Sequence, residues 1–325
     1  MAQINYRWAI TNALDEEMGR DEKVFVIGED VAESGGSFGL TRGLLEKYGD
    51  RRVRDTPVSE EAIAGVGVGA AAAGLKPVIE IMFMDFIFLA MDQIVNHAAK
   101  MRYMYGGQVH VPLVVRTLAG GGFRTGMHHS QTLESMFGHV PGLKVVYPSN
   151  AYDVKGLLKS AIRDPDPVIF LEHKALMSLK SEVPDEDYVI PIGKGKVVKE
   201  GKDVTVVALG SMVHVAMNAA QALEEKGIDV EVIDPRTIMP LDSEMIIESV
   251  KKTSRIVVIH EAHAPFGFGS EIAALISEHA LYYLDAPIKR VTSKFVPLPV
   301  GSGEDVILPT EEKLIDAVED VLKGE

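Results

Sequence analysis

Apolar residues recur at Tyr6, Ile10, Ala13, Leu14 and Met18, and Asn5 stands where a helix cap belongs. That spacing predicts an amphipathic helix over residues 6–18. Short apolar runs at residues 24–28 and 78–83 predict strands, and a long helix is expected over about residues 86–105, stopped by Gly106-Gly107. Residues 111–115, 143–146 and 168–171 predict further strands, with a helix at 152–162 between the last two. Strands alternating with helices predict an α/β fold with a mainly parallel sheet covered on both faces.

The character changes at residues 181–203, which are polar, charged and punctuated by Gly and Pro. This stretch is expected to link a first domain, residues 1–180, to a second, smaller α/β domain, residues 204–325. The second domain restarts the alternation with strands at 204–210, 230–234 and 256–260 and helices at 213–226 and 242–251. A final helix-strand-helix unit closes it.

Composition narrows the function. The chain has 325 residues, 46% hydrophobic and 25% charged, enough for two sizeable cores. The longest apolar stretch, residues 79–91, is broken by Glu80 and Asp85 and is too short to span a bilayer. The first residues lack a basic segment followed by an apolar one, so a cytoplasmic protein without membrane association is expected. There is no cysteine, which excludes disulfides, thiolate-held metals and thiol catalysis within the chain. A net charge of −14 argues against a nucleic-acid partner.

The strongest candidate for chemistry is Glu60. The run Asp55-Thr56-Pro57-Val58-Ser59-Glu60-Glu61 reads as a turn, a serine cap and an acidic first helical turn. An acid there favours the positive end of the helix dipole, whatever its function. The helix behind it changes the balance. Gly65, Gly67, Gly69 and Gly74 each cost about 1 kcal/mol relative to Ala in a helix interior. Glycines retained at that cost imply close backbone approach. Gly65 and Gly69 share one face, expected to meet another helix or another subunit. Glu60 then lies at a buried junction, where a carboxylate can share a proton.

A second candidate follows the glycine loop Gly120-Gly121-Gly122-Phe123-Arg124-Thr125-Gly126, which leads into Met127-His128-His129-Ser130-Gln131. Ligands in parallel α/β sheets sit beyond the carboxyl ends of strands. His129 is therefore a candidate acid or base. There is no Gly-rich Lys-Ser/Thr phosphate loop, and Gly35-Gly36-Ser37-Phe38-Gly39 lacks the dinucleotide spacing. His260-Glu261-Ala262-His263 lacks the spacing of a zinc motif and reads as a surface or interface loop.

Taken together, Gly28-Glu29-Asp30-Val31, Asp55-Thr56-Pro57-Val58-Ser59-Glu60, Asp92-Gln93-Ile94-Val95-Asn96, His129-Ser130-Gln131, Pro141-Gly142-Leu143-Lys144-Val145-Val146, Lys155-Gly156-Leu157-Leu158 and Asp234-Pro235-Arg236-Thr237 carry a family likeness. Over essentially its whole length the chain resembles beta subunits of the decarboxylating first component of 2-oxo acid dehydrogenase complexes, which act on pyruvate, branched-chain 2-oxo acids or acetoin. The resemblance implies a pyrimidine-binding domain followed by a transketolase C-terminal-like domain, with thiamine diphosphate as cofactor. It implies that Glu60 contacts the ring nitrogen of the aminopyrimidine and promotes the imino form that activates the reactive carbon. It also implies that Phe86 packs on the pyrimidine ring, that Glu29 and Val58 complete the cofactor contacts, and that His129 guides acyl transfer to a lipoyl group. His128 departs from the family's motif, which needs only the second histidine.

Related subunits also hold potassium, mainly through carbonyls. The matching positions here are Leu113, Ala161, Asp164 and Asp166. No Gly-Asp-Gly run followed by a suitably spaced Asn is present to hold a magnesium diphosphate. An alpha subunit is therefore expected to supply that half, in a heterotetramer that also engages the lipoyl acyltransferase core. Glu29, Glu60 and Asp92 are expected to form part of a buried acidic path between paired sites. The rival readings are the C-terminal half of a split transketolase and a non-catalytic scaffold subunit.

Overall fold

In the computed structural model, which describes residues 2–324, the Asn5 side chain accepts a hydrogen bond from the Trp8 N–H at 2.9 Å and starts the helix Tyr6–Arg20. Its apolar stripe is buried and packs against the helix Ala151–Arg163. Glu17, fully buried between these helices, is gripped by Arg20 and Arg163, each at 2.6 Å. Burial pushes its carboxyl up, but the two arginines outweigh burial and hold it below the usual range.

The described residues divide into two compact units, one of residues 2–120 with 128–192, the other of residues 121–127 with 193–324. In the first unit the strands run side by side in the order Lys144–Val146, Val168–His173, Val114–Ala119, Lys76–Phe83, Val24–Gly28 and Val53–Asp55. Every neighbouring pair is parallel. Their carboxyl ends therefore share one edge of the sheet. The second unit has the sheet order Lys289–Ser293, Ile256–His263, Val204–Ala208, Val230–Asp234, Lys196–Lys199, in which only the last strand is antiparallel. Helices Met212–Glu224 and Glu311–Lys323 cover it. Among the described residues no helix is long and apolar enough to cross a membrane.

Four expectations are corrected. The helix expected over 86–105 is three pieces, a 3-10 segment Met84–Ala90, a π-helical segment Asp92–Ala98 and an α-helix Ala99–Met104. Tertiary bonds override the helical period there. The Asp85 carboxylate accepts from Gln131, and the Met84 sulfur from the Leu133 N–H. The strand expected at 111–115 runs instead from Val114 to Ala119, through Arg116, whose charge is neutralised by neighbouring strands. The 181–203 stretch contains ordered pairing: Lys180–Val183 is antiparallel to Ala2–Asn5, and Lys196–Lys199 joins the sheet of the second unit. The His260-Glu261-Ala262-His263 run is not a surface loop. It ends the strand Ile256–His263, with His260 fully buried. Burial, then the charges of Arg290 and His263, lowers the His260 pKa to about 4.

Candidate active site

The carboxyl edge of the first sheet gathers the expected site residues by backbone geometry alone. Glu29 follows the strand Val24–Gly28, Phe86 lies three residues beyond Lys76–Phe83, and Gly120 follows Val114–Ala119. Glu60 opens the helix Glu60–Ala72 after the strand Val53–Asp55. That helix packs on the strand Lys76–Phe83 and on the segments Met84–Ala90 and Asp92–Ala98.

Gly67 makes this packing close. A methyl group on it would stand 2.8 Å from Ile79 Cγ2 and 3.1 Å from Leu113 Cδ1. Gly65 faces Gln93 at ordinary contact distance, whereas Gly69 faces open space. Ser59 does not cap the helix through its side chain, whose hydroxyl donates instead to the Pro57 carbonyl at 3.3 Å. Burial, then the nearby charges of Glu60 and Asp30, pushes the Glu29 carboxyl up, against a smaller opposing pull from the Ser59 backbone. Glu60 is 5% exposed, and an open groove of about 640 Å³ runs past it, lined by Glu61, Gly65, Val66, Leu89 and Gln93. Val58 is 79% exposed.

The His129 ring meets two aromatic rings edge-on, Phe83 at 4.9 Å and Phe86 at 5.6 Å between centroids. Phe83 and Phe86 are themselves edge-on at 5.9 Å. The loop carrying His129 is tied at several points. Gly120 N–H donates to the Gln131 carbonyl at 3.2 Å, and the Gln131 side chain donates to Asp85 at 3.0 Å. Lys174, buried, donates to the His129 carbonyl. His128 is exposed. Asp92, also exposed, bonds with Asn96 at 2.7 Å and pairs with His97 at 3.5 Å.

Beneath the edge lies a group that sequence reasoning missed. Arg116, fully buried, bonds Glu172 through two nitrogens at 2.7 and 3.0 Å and Glu80 at 2.9 Å. Burial pushes the Glu172 carboxyl up while the guanidinium opposes it. The signal for this triad was a charged residue inside each of three otherwise apolar strands.

The four residues matched to a potassium site give a mixed donor set. Asp164 and Asp166 carboxylates are engaged by Lys144 at 2.6 and 3.5 Å, and Asp166 also by Arg102 at 2.6 Å. The Leu113 carbonyl accepts from Val168 at 2.9 Å and the Ala161 carbonyl from Asp164 at 3.3 Å. Each carbonyl retains a second lone pair, so a cation there would be met by carbonyl oxygens rather than carboxylates. Among the described residues no group of three or more His, Asp or Glu side chains is placed to hold a metal ion.

One parallel sheet edge thus carries a buried helix-start glutamate, Glu60, and a histidine, His129, that meets two aromatic rings edge-on. Residues 2–180 match the transketolase pyrimidine-binding domain, and residues 193–314 the transketolase C-terminal domain. The chain is 50% identical over 298 residues to the 2-oxoisovalerate dehydrogenase subunit beta of Bacillus subtilis (strain 168), covering 91% of each. It is 48% identical to the pyruvate dehydrogenase E1 component subunit beta of Rhizobium meliloti (strain 1021), covering 99% of this chain and 70% of that one. It is 45% identical to the acetoin:2,6-dichlorophenolindophenol oxidoreductase subunit beta of Bacillus subtilis (strain 168), covering 97% and 96%. Among solved structures it resembles a split-gene transketolase described as an inactive beta4 tetramer, with TM-score 0.81, 26% identity and 99% of each chain covered. The chain belongs to the family of beta subunits of the first components of 2-oxo acid and acetoin dehydrogenases, within the transketolase-like thiamine diphosphate enzymes. The split-transketolase reading gives way to the dehydrogenase reading, because identity is 45–50% to dehydrogenase and acetoin oxidoreductase subunits and 26% to the split transketolase.

Proposed function

We propose that this chain supplies the pyrimidine-holding half of a thiamine diphosphate site, completed by an alpha subunit that holds the diphosphate and its magnesium. The observation that carries the reading is the buried Glu60 on the same sheet edge as the Phe83–Phe86–His129 ring cluster. A buried carboxylate on a sheet edge that also carries aromatic rings suits a flat aminopyrimidine whose ring nitrogen exchanges a proton. Bound there, thiamine diphosphate would supply a carbon nucleophile and an electron sink for cleavage next to a carbonyl. Glu60 holds a proton at the ring nitrogen. Phe86 packs on the ring, and Glu29 and Val58 complete the contacts with it. His129 faces the reacting carbons and directs a proton during acyl transfer to a lipoyl group. Potassium, held by the carbonyls of Leu113, Ala161, Asp164 and Asp166, would brace the end of the helix Ala151–Arg163.

The substrate is a 2-oxo acid, pyruvate or a branched-chain one, or acetoin, and the acyl group passes to the lipoyl-bearing acyltransferase core. The test is calorimetric titration of thiamine diphosphate with magnesium, first into the lone chain and then into its complex with the alpha chain. Binding only to the complex is expected. Tight one-to-one binding to the lone chain would overturn the shared site. Turnover of the three substrates by the complex then names the substrate.

A further inference from the structure

Lys174 directly follows the strand Val168–His173 and opens a short 3-10 turn. It is 1% exposed, although lysine is among the residues least often withdrawn from water. Its ammonium group donates to the backbone carbonyl of His129. The same group stands 5.6 Å from the centroid of the Phe83 ring, within cation–π range. Phe83 is the ring on which the His129 imidazole rests, at 4.9 Å. One buried charge thus touches both the main chain that carries His129 and the surface that orients its side chain.

Further along the same loop, Gln131 is bonded to Asp85 and Leu133 to Met84. Sheet order explains how Lys174 reaches it. The strand Val114–Ala119 lies between Val168–His173 and Lys76–Phe83. The register pairs His173 with Ala119 and Phe83 with Leu118, so the three strands end nearly level and a long side chain leaving the first can come up against the end of the third. A four-carbon stem with a single terminal charge suits that span. An apolar side chain of equal length would fill the space but would neither hold the carbonyl nor attract the ring face.

We propose that Lys174 is a positioning residue. By holding the His129 carbonyl and backing the Phe83 ring, it sets where the His129 imidazole stands during acyl transfer. This rests on the role given above to His129.

The test uses the complex assembled with the alpha chain and loaded with thiamine diphosphate and magnesium. Lys174→Met keeps the stem and removes the charge, Lys174→Arg keeps a charge and a donor, and His129→Ala removes the group being positioned. Lys174→Met is expected to lower lipoyl-dependent kcat by between about tenfold and about a hundredfold. Substrate KM and cofactor affinity should stay within about twofold, since neither depends on an interaction made only during transfer. Lys174→Arg should recover part of the loss. The double variant Lys174→Met/His129→Ala should be no slower than His129→Ala, because residues acting as one unit are not additive. Losses that multiply would overturn the proposal, as would a fall in cofactor affinity matching the fall in kcat. Wild-type kcat in His129→Ala would instead overturn the role of His129 itself. Should Lys174→Met not assemble, Phe83→Leu removes the ring that links the two residues. The same non-additivity with His129→Ala is expected of it, and additivity would sink the idea.

Discussion

The imidazole of His129 stands edge-on to the ring of Phe83, with centroids 4.9 Å apart and planes at 83°. Phe86 meets the same imidazole from 5.6 Å. Edge-on pairs contribute about 0.5–1.5 kcal/mol beyond the area they bury. Phe86→Ala is therefore expected to weaken thiamine diphosphate binding to the assembled complex by roughly tenfold, about 1.4 kcal/mol. Calorimetry reads this directly, and an unchanged affinity would remove Phe86 from the cofactor contacts.

Glu60→Gln keeps the shape of the helix start and removes the exchangeable carboxyl proton. Turnover is expected to fall by about 10²–10⁴, the usual contribution of a positioned acid or base. Size-exclusion chromatography should show assembly with the alpha chain intact. A variant that assembles and turns over normally would return the chain to the scaffold reading.

Arg116 holds two buried carboxylates together, and removing one partner of such a group costs about 3–5 kcal/mol. Arg116→Leu should lower stability by that amount. Replacing Glu80, Arg116 and Glu172 together by apolar residues should recover much of it, because no unpaired charge is then left in the sheet. Urea unfolding followed by the fluorescence of the single tryptophan, Trp8, reports on the unit that contains all three.

Gly120 has φ +89°, and a methyl group added there would lie 2.1 Å from His173 Nε2. Gly120→Ala combines a disfavoured backbone conformation with overpacking and should cost at least about 1–3 kcal/mol. Because the Gly120 N–H donates to the Gln131 carbonyl, the variant should also lose activity before it loses its fold. Comparing residual turnover with the melting curve separates the two effects.

The Glu17 carboxyl titrates below its ordinary value in the folded chain. As pH falls, the unfolded chain binds this proton first. The stabilisation is therefore complete above the ordinary glutamate pKa of about 4.3 and is lost as pH falls through the lower folded value. Glu17→Gln should be less stable than the native chain at neutral pH and should show a shallower loss on the acid side. Parallel acid slopes in the two proteins would contradict this.

Much of the candidate site could be read along the chain because its residues sit at element boundaries with local signatures. Glu60 stood out through the glycines behind it, and His129 through the glycine loop before it. The Arg116 triad did not stand out, since its members lie 36 and 56 residues apart. Each looked like an interruption of an apolar strand until the register placed Glu80 opposite Arg116. Lys174 was hidden in the same way. Its partner is 45 residues distant, and a lysine after a strand ordinarily reads as a surface charge.

The amino-acid sequence by itself determined the alternation of strands and helices, the α/β class and the acidic helix start, because these depend on period, caps and glycines within a few residues. Only the tertiary structure decided which charges are buried in pairs and why the helix expected over 86–105 breaks into three. It also decided how His129 comes to rest between two aromatic rings. Those outcomes depend on which strands become neighbours. Sheet order and register are properties of the folded chain, and local pattern does not encode them.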